Sequence, residues 1–265
     1  MPTSIHIGTS GWSYDDWVGP FYPPGTPKAA YLSLYADRLD IVEVDSTFYR
    51  PPTVATVERW AGQTPPNFAF TLKMPRSITH DRVLEDCAGE MERLTLALEP
   101  LRTRLRAVLL QFGYFNRTAF RRPAEFFERL DTFLGAYASH VPLACEIRNR
   151  QWLTADYFGL LRAHRVPAAL VEHVWLPPID ELCARHDVLT GPYAYVRLIG
   201  DRHGIEQTTT EWDKTVVDRS TDLRRVANSL HALARHAEVF VFVNNHYAGH
   251  APATCRHLRT AVDSG

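Results

Sequence analysis

The chain is 265 residues long, 45% hydrophobic and 11% aromatic, which excludes a disordered polymer and suits one large core better than two linked domains. Lys plus Arg total 29 and Asp plus Glu 30, for a formal charge of −1. That balance excludes a global electrostatic grip on nucleic acid or an anionic membrane, while leaving room for a local basic pocket.

Short runs rich in Val, Ile, Leu and Phe recur along the chain at Ile5-Gly8, Asp40-Val44, Phe68-Lys73, Ala107-Phe112, Leu143-Ile147, Ala168-Val171, Tyr193-Leu198 and Val239-Val243. The stretches between these eight runs are too long for hairpins and long enough for crossover helices between parallel strands. Lys28 to Leu39 follows Pro27 and carries Ala30, Leu34 and Leu39, and Thr53 to Trp60 opens on a capping residue. Pro123 to Ala138 has a proline where a missing N–H does no harm and apolar residues at Phe126, Phe127, Leu130, Phe133 and Leu134. Thr154 to Arg165 and Thr221 to Arg235 each start with a threonine, and the second ends in basic residues as the helix dipole favours. Eight strand–helix units in this length predict an α/β fold, a single (β/α)8 TIM barrel spanning residues 1–265, with a doubly wound open sheet as the runner-up.

No apolar run approaches the roughly 20 residues of a membrane span. Met1-Pro2-Thr3-Ser4 leads into a strand-like segment without a basic start or long apolar leader. Cys87, Cys145, Cys183 and Cys255 stand far apart with no Cys-x-x-Cys pair, and read as reduced thiols of a cytoplasmic protein.

The strands end in polar residues, and alternation sorts them. Val42 and Val44 take the outward, apolar role, so Ile41, Glu43 and Asp45 point into the barrel. The same test turns Lys73, Gln111, Glu146 with Arg148, Glu172, Arg197 and Asn244 inward on the third to eighth strands, at the ends where barrel enzymes carry their sites. One reading is a ligand-facing cluster. The other sets four acids (Glu43, Asp45, Glu146, Glu172) against three bases (Lys73, Arg148, Arg197) as an internal ion-pair network. Burial of that many charges for structure alone is costly, which favours the ligand.

Further features crowd the same loops. Gly8-Thr9-Ser10-Gly11-Trp12 offers backbone N–H groups to a phosphate, or else makes a tight turn that folds Trp12 back. Trp12, Tyr14, Trp17, Phe21, Tyr22, Phe48, Tyr49 and Trp152 cap the barrel, with one or two, Trp12 and Tyr49 first, available to stack on a ligand. The histidines that follow strand ends (His80, His173, His203, His246) show no metal-binding spacing, so no metal and no cofactor is expected. His80 is the best candidate for acid–base work. The polar segment from Ile199 to Ser220 reads equally as a mobile lid or a passive surface loop.

Gly8-Thr9-Ser10-Gly11-Trp12, Phe21-Tyr22-Pro23, Val42-Glu43-Val44-Asp45-Ser46-Thr47-Phe48-Tyr49, Lys73-Met74-Pro75 with Ile78-Thr79-His80, Glu146-Ile147-Arg148 with Trp152, Tyr195-Val196-Arg197 and Asn244-Asn245 occur in one order. As a set they resemble the YecE-like family, domain of unknown function 72, from about Ile5 to the C-terminal helix. The resemblance implies a TIM barrel similar in shape to type IV endonucleases and sugar isomerases, and hence, by analogy only, phosphate-bearing or nucleic-acid substrates. The chain departs from the family pattern at Phe112-Gly113-Tyr114, at Asn149 and at Ile199, the last two standing where histidines are usual.

Three functions follow from these residues. The first is an enzyme acting on a small anionic or phosphate-bearing substrate by hydrolysis or general acid–base chemistry: Lys73, Arg148 and Arg197 hold the anion, Asp45, Asn244, Trp12 and Tyr49 complete the pocket, Glu43 or Glu146 is the base and His80 assists. The second is a non-catalytic module for a nucleotide, sugar or single-stranded nucleic acid, the last weakly supported by the near-neutral charge. The third is a structural barrel whose charges only pair internally.

Overall fold

In the computed structural model, which describes residues 4–265, all eight runs are strands and all are parallel. Residues Met1-Pro2-Thr3 of the leader argument lie outside the described residues. The strands are β1 (Ile5–Ser10), β2 (Ile41–Val44), β3 (Ala69–Lys73), β4 (Leu105–Gln111), β5 (Leu143–Glu146), β6 (Ala169–His173), β7 (Tyr193–Gly200) and β8 (Glu238–Val243). They pair in the order β5-β4-β3-β2-β1-β8-β7-β6. Between β5 and β6 the Cys145 N–H donates to the Pro167 carbonyl at 2.9 Å, so the sheet curls into a nearly closed TIM barrel.

Among the described residues the α-helices are α1 (Tyr31–Ala36), α2 (Val54–Gly62), α3 (Ala88–Leu98), α4 (Pro123–Tyr137), α5 (Ala155–Ala163), α6 (Ile179–Arg185), α7 (Arg202–Glu206), α8 (Ser220–Ala234) and α9 (Ala251–Asp263). Thr53 caps α2 by accepting the Thr56 N–H, and Pro123 stands in the first turn of α4 as expected. Other boundaries shift. The Lys28–Leu39 segment splits into a 3-10 turn and the short α1, which stops where the N–H groups of both Arg38 and Leu39 turn back to the Tyr35 carbonyl. Thr154 precedes α5 without a side-chain cap, and α8 starts at Ser220, where the Asp218 carboxylate accepts the backbone N–H at 2.8 Å. No helix among the described residues is long and apolar enough to cross a membrane, and all four cysteines are free thiols.

Alternation along the strands builds two separate apolar regions. Outward residues such as Val42, Val44, Leu72, Val108 and Val241 join the large core beneath the helices. Inward residues form a small plug in which Ile41 and Ala69 meet Tyr195, Phe240 and Phe242, small side chains facing large ones. β6 departs from the expected parity. Val171, not Glu172, stands beside Arg197 in the register, and Glu172 faces the helices. There Arg225 of α8 donates to it at 2.7 and 3.1 Å and the Ile179 N–H at 2.9 Å. A partner 53 residues away satisfies this carboxylate, which no local pattern reveals.

β1 and β2 approach so closely that a Cβ on Gly8 would lie 2.1 Å from the Ile41 carbonyl oxygen. Gly8→Ala is therefore expected to destabilise the barrel by about 1–3 kcal/mol or more, from overpacking against rigid backbone. Denaturant titration checks this; an unchanged midpoint would show that the strands can separate without loss.

Candidate active site

The C-terminal ends of the strands bring the inward charges together in two tiers. The lower tier is built on Arg197 of β7, whose side chain is only 5% exposed. Its Nε donates to both oxygens of Glu43 at 2.9 and 3.2 Å, its Nη2 to Glu43 Oε1 at 2.7 Å, and its Nη1 to Glu146 Oε2 at 2.6 Å. Glu43 also accepts from Ser10 Oγ at 2.8 Å and from the Tyr195 hydroxyl at 2.6 Å, while Glu146 Oε1 accepts from Arg148 Nε at 2.6 Å. Both carboxylates are fully buried. Burial pushes the Glu146 carboxyl up, but the guanidiniums of Arg148 and Arg197 hold it down to about 2.

The upper tier contains charges without such partners. Lys73 makes no ion pair among the described residues; its ammonium lies 4.2 Å from the centre of the Phe48 ring. Burial and the Arg197 charge bring its amine down to about 8, against the pull of Glu146, Glu43 and Asp45. Arg148 spends only Nε on Glu146, so its two Nη groups have no protein acceptor among the described residues. Asp45 caps no helix with its side chain, and burial together with the Glu43 charge raises its carboxyl, partly offset by Lys73 and Arg197. His80 bonds Thr79 Oγ1 through Nδ1 at 2.9 Å and meets Phe48 edge-on, so one ring joins Lys73 and His80. Burial, Lys73 and Arg76 lower its pKa, favouring the neutral imidazole.

Other expected residues at these strand ends are engaged differently. Trp12 packs edge-on against Trp60 of α2, Tyr49 is 79% exposed on the rim, and Asn244 spends its side-chain oxygen on the N–H and ring of His246. Of the two readings of Gly8–Trp12, the tight turn is the one observed. The Thr9 N–H donates to the Tyr35 hydroxyl, the Gly11 N–H to the Glu43 carbonyl, and Gly11 takes φ +84°. Segment 207–219 is fastened at both sides, by the Trp212 N–H to Asp16 at 3.0 Å and the Val216 N–H to the Ala248 carbonyl at 2.8 Å. Asn149, at one histidine-to-asparagine departure, joins two loops by exchanging hydrogen bonds with the Phe115 backbone.

One residue the sequence reading named only among scattered histidines, and one group it did not single out, belong to the mouth. His173 contributes the inward polar side chain of β6; burial and Arg148 lower its pKa to about 4. Recognising that β6 has the parity of Val171 would have found it. Tyr114 and Trp175, 65% and 67% exposed, stand with Tyr49 on the loops after β4, β6 and β2; large exposed rings are the signal, but exposure is not written in a sequence. Among the described residues no three His, Cys, Asp or Glu side chains are arranged to hold a metal ion.

A nearly closed parallel barrel with charged residues on successive strand ends defines a TIM-barrel protein with a candidate site at the C-terminal mouth. The family model "Protein of unknown function DUF72" matches residues 6–265, and the chain belongs to that family. It is similar to the UPF0759 protein YunF of Bacillus subtilis, 29% identical over 58% of this chain and 54% of that one. It is also similar to the UPF0759 protein YecE of Escherichia coli K12, 31% identical over 40% and 37% of the two chains. The chain thus spans about half or less of the length of the curated relatives it matches. A DUF72 family protein from Thermotoga maritima superposes with a TM-score of 0.78 at 27% identity, covering 98% of this chain and 99% of that one. The fold alone is shared with D-psicose 3-epimerase of Clostridium cellulolyticum H10, solved with D-tagatose, at a TM-score of 0.52 and 11% identity over 98% and 97% of the chains.

The two tiers respond differently to substitution. Arg197→Met strands two buried carboxylates and is expected to cost about 3–5 kcal/mol, whereas Lys73→Met removes a half-buried charge with no ion partner and leaves stability unchanged or raised. Equal losses in thermal melts would contradict the division.

Acid gives a second check. Glu146 is held near 2 in the folded chain, below its ordinary 4.5, so the stability it contributes is present above pH 4.5 and lost as pH falls toward 2. Glu146→Gln should flatten the pH dependence of stability in that window; an unaltered slope would place the acid sensitivity elsewhere.

Proposed function

We propose that this chain is a barrel enzyme that binds a small anionic, phosphate-bearing substrate at its mouth and acts on it by general acid–base chemistry. The observation that carries this reading is the upper tier: unpaired Lys73 and the free edge of Arg148 with an unpaired Asp45 and a half-buried His80. A network kept only for structure would leave no such groups open, because each partly buried charge without a partner is a net loss.

The roles differ from those the sequence alone suggests. Arg197 is consumed by two carboxylates, so the anion falls to the planar fork of Arg148, with Lys73 beside it. Glu43 and Glu146 have their oxygens occupied by guanidinium and hydroxyl donors, which suits them to hold Arg197 and Arg148 in place. Proton transfer is then assigned to Asp45 and His80. Asp45, raised by burial, gives up its proton closer to neutrality than a solvated carboxyl, as a general base requires.

A second reading, a binding module for a planar ligand, draws on the exposed rim rings Tyr49, Tyr114 and Trp175. Aromatic platforms of that kind stack sugars or bases without turning them over.

Calorimetric titration with a panel of sugar phosphates, followed by turnover assays, separates the two. Binding should weaken with salt, and by tenfold or more in Arg148→Met. Asp45→Asn and His80→Gln should abolish turnover while sparing binding. Affinity indifferent to Arg148→Met but lost in Trp175→Ala, without turnover, would replace the enzyme by the stacking module.

A further inference from the structure

Lysine is rare in this chain. Lys28, Lys73 and Lys214 are its only lysines, against 26 arginines. Lys28 and Lys214 are surface residues, about 70% exposed, each beside an aspartate. The chain therefore answers almost every need for positive charge with arginine, including the anion-facing position of Arg148, yet has an amine on the inward face of β3. A guanidinium serves better wherever only a charge or a bidentate grip is needed. What an amine can do and a guanidinium cannot is lose its proton near neutral pH and attack carbon.

Its surroundings suit that chemistry. Among the described residues no carboxylate lies within ion-pair distance of Lys73 to hold the proton, and its ammonium lies over the face of Phe48, 4.2 Å from the ring centre. The charged groups that face it are Arg197 from β7, Glu146 from β5, and Glu43 and Asp45 from β2 and its loop; His80, on the loop after β3, feels its charge in turn. Burial weighs most against the ammonium and Arg197 adds to it, while Glu146, Glu43 and Asp45 pull the other way, the two glutamates being tied up with guanidinium partners.

From this placement we infer that Lys73 is a nucleophile, and that the mouth takes a small anionic carbonyl compound, a sugar phosphate in its open form or a 2-oxo acid, which condenses with the Lys73 amine. The inference rests on the reading of the mouth as an anion site, with Arg148 holding the charged end. In the condensation the free amine of Lys73 attacks the carbonyl carbon: the C–N bond forms, the carbonyl π pair moves to oxygen, and that oxygen takes a proton. The nitrogen of the resulting carbinolamine gives up a proton, the hydroxyl leaves as water on accepting one, and the product is an iminium. Asp45 and His80 are the carriers at hand for these protons. One neutral amine, one carbonyl and one proton give one iminium and one water, with no oxidant or reductant consumed.

Two measurements on the full chain test this. In the first, a small acylating reagent competes for all lysines over a range of pH, and peptide mapping gives each one's reactivity relative to its own plateau. At pH 8 about half of the Lys73 amines are neutral, against well under one per cent of an ordinary lysine, so the normalised reactivity of Lys73 should exceed that of Lys28 and Lys214 by roughly 100-fold. A Lys73 midpoint coincident with the other two overturns the inference.

In the second, dihydroxyacetone phosphate, pyruvate and uncharged dihydroxyacetone are each offered with cyanoborohydride, which reduces an imine to a stable adduct. The expected result is an adduct on Lys73 at least tenfold over Lys28 and Lys214, larger with a charged probe, and absent in Lys73→Arg, which keeps the charge. Preference for the phosphate over pyruvate, or the reverse, identifies the source of the anion. Adduct formed equally with charged and uncharged probes upholds the amine and overturns the anion reading. Sugar-phosphate binding that depends on Arg148, with no adduct on Lys73, does the opposite.

Discussion

The buried guanidinium of Arg197 between the carboxylates of Glu43 and Glu146 ties β7 to β2 and β5 across the barrel interior. Strand pairing joins neighbours only, and β2, β5 and β7 are not neighbours in the sheet. Each carboxylate would be intolerable there alone, and each is saturated by donors from other strands: Ser10 and Tyr195 on Glu43, Arg148 on Glu146. The apolar plug of Ile41, Ala69, Phe240 and Phe242 fills the barrel beneath this tier, so the charges sit on a dry, packed floor.

That floor decides what the mouth can do. By absorbing Glu43, Glu146 and Arg197 into one network, the fold leaves Lys73, Arg148, Asp45 and His80 as the groups with bonding capacity to spare. Their properties follow from their position just above it. Burial is the largest influence on all three; to it Arg197 adds in lowering Lys73, Glu43 in raising Asp45, and Lys73 in lowering His80. Membership of the DUF72 family and the shared barrel give the fold, without naming a ligand.

Several features of the molecule are two-sided in sequence and one-sided in space. Gly8-Thr9-Ser10-Gly11-Trp12 reads as an anion cradle until the Tyr35 hydroxyl and the Glu43 carbonyl are found to occupy the Thr9 and Gly11 N–H groups. The polar stretch after β7 reads equally as a lid or a surface loop, and in the structure Asp16 and Ala248 fasten its backbone at two points. In each case the deciding partner belongs to another segment of the chain, and the local composition is compatible with either outcome.

The sequence by itself determined the barrel, its eight strands and the residues at most of their ends. Period-two alternation is a property of the strand backbone, and the requirement that one face pack under helices can be read residue by residue, as Val42 and Val44 show for Glu43. It failed on β6, where Glu172 and Val171 are each compatible with either face and only Arg225, on α8, makes the outward carboxylate tolerable. The tertiary structure alone decided which charges are paired and which are open. An ion pair is a relation between residues such as Glu43 and Arg197, 154 positions apart, and its geometry exists only once the barrel has curled to bring them within bonding distance.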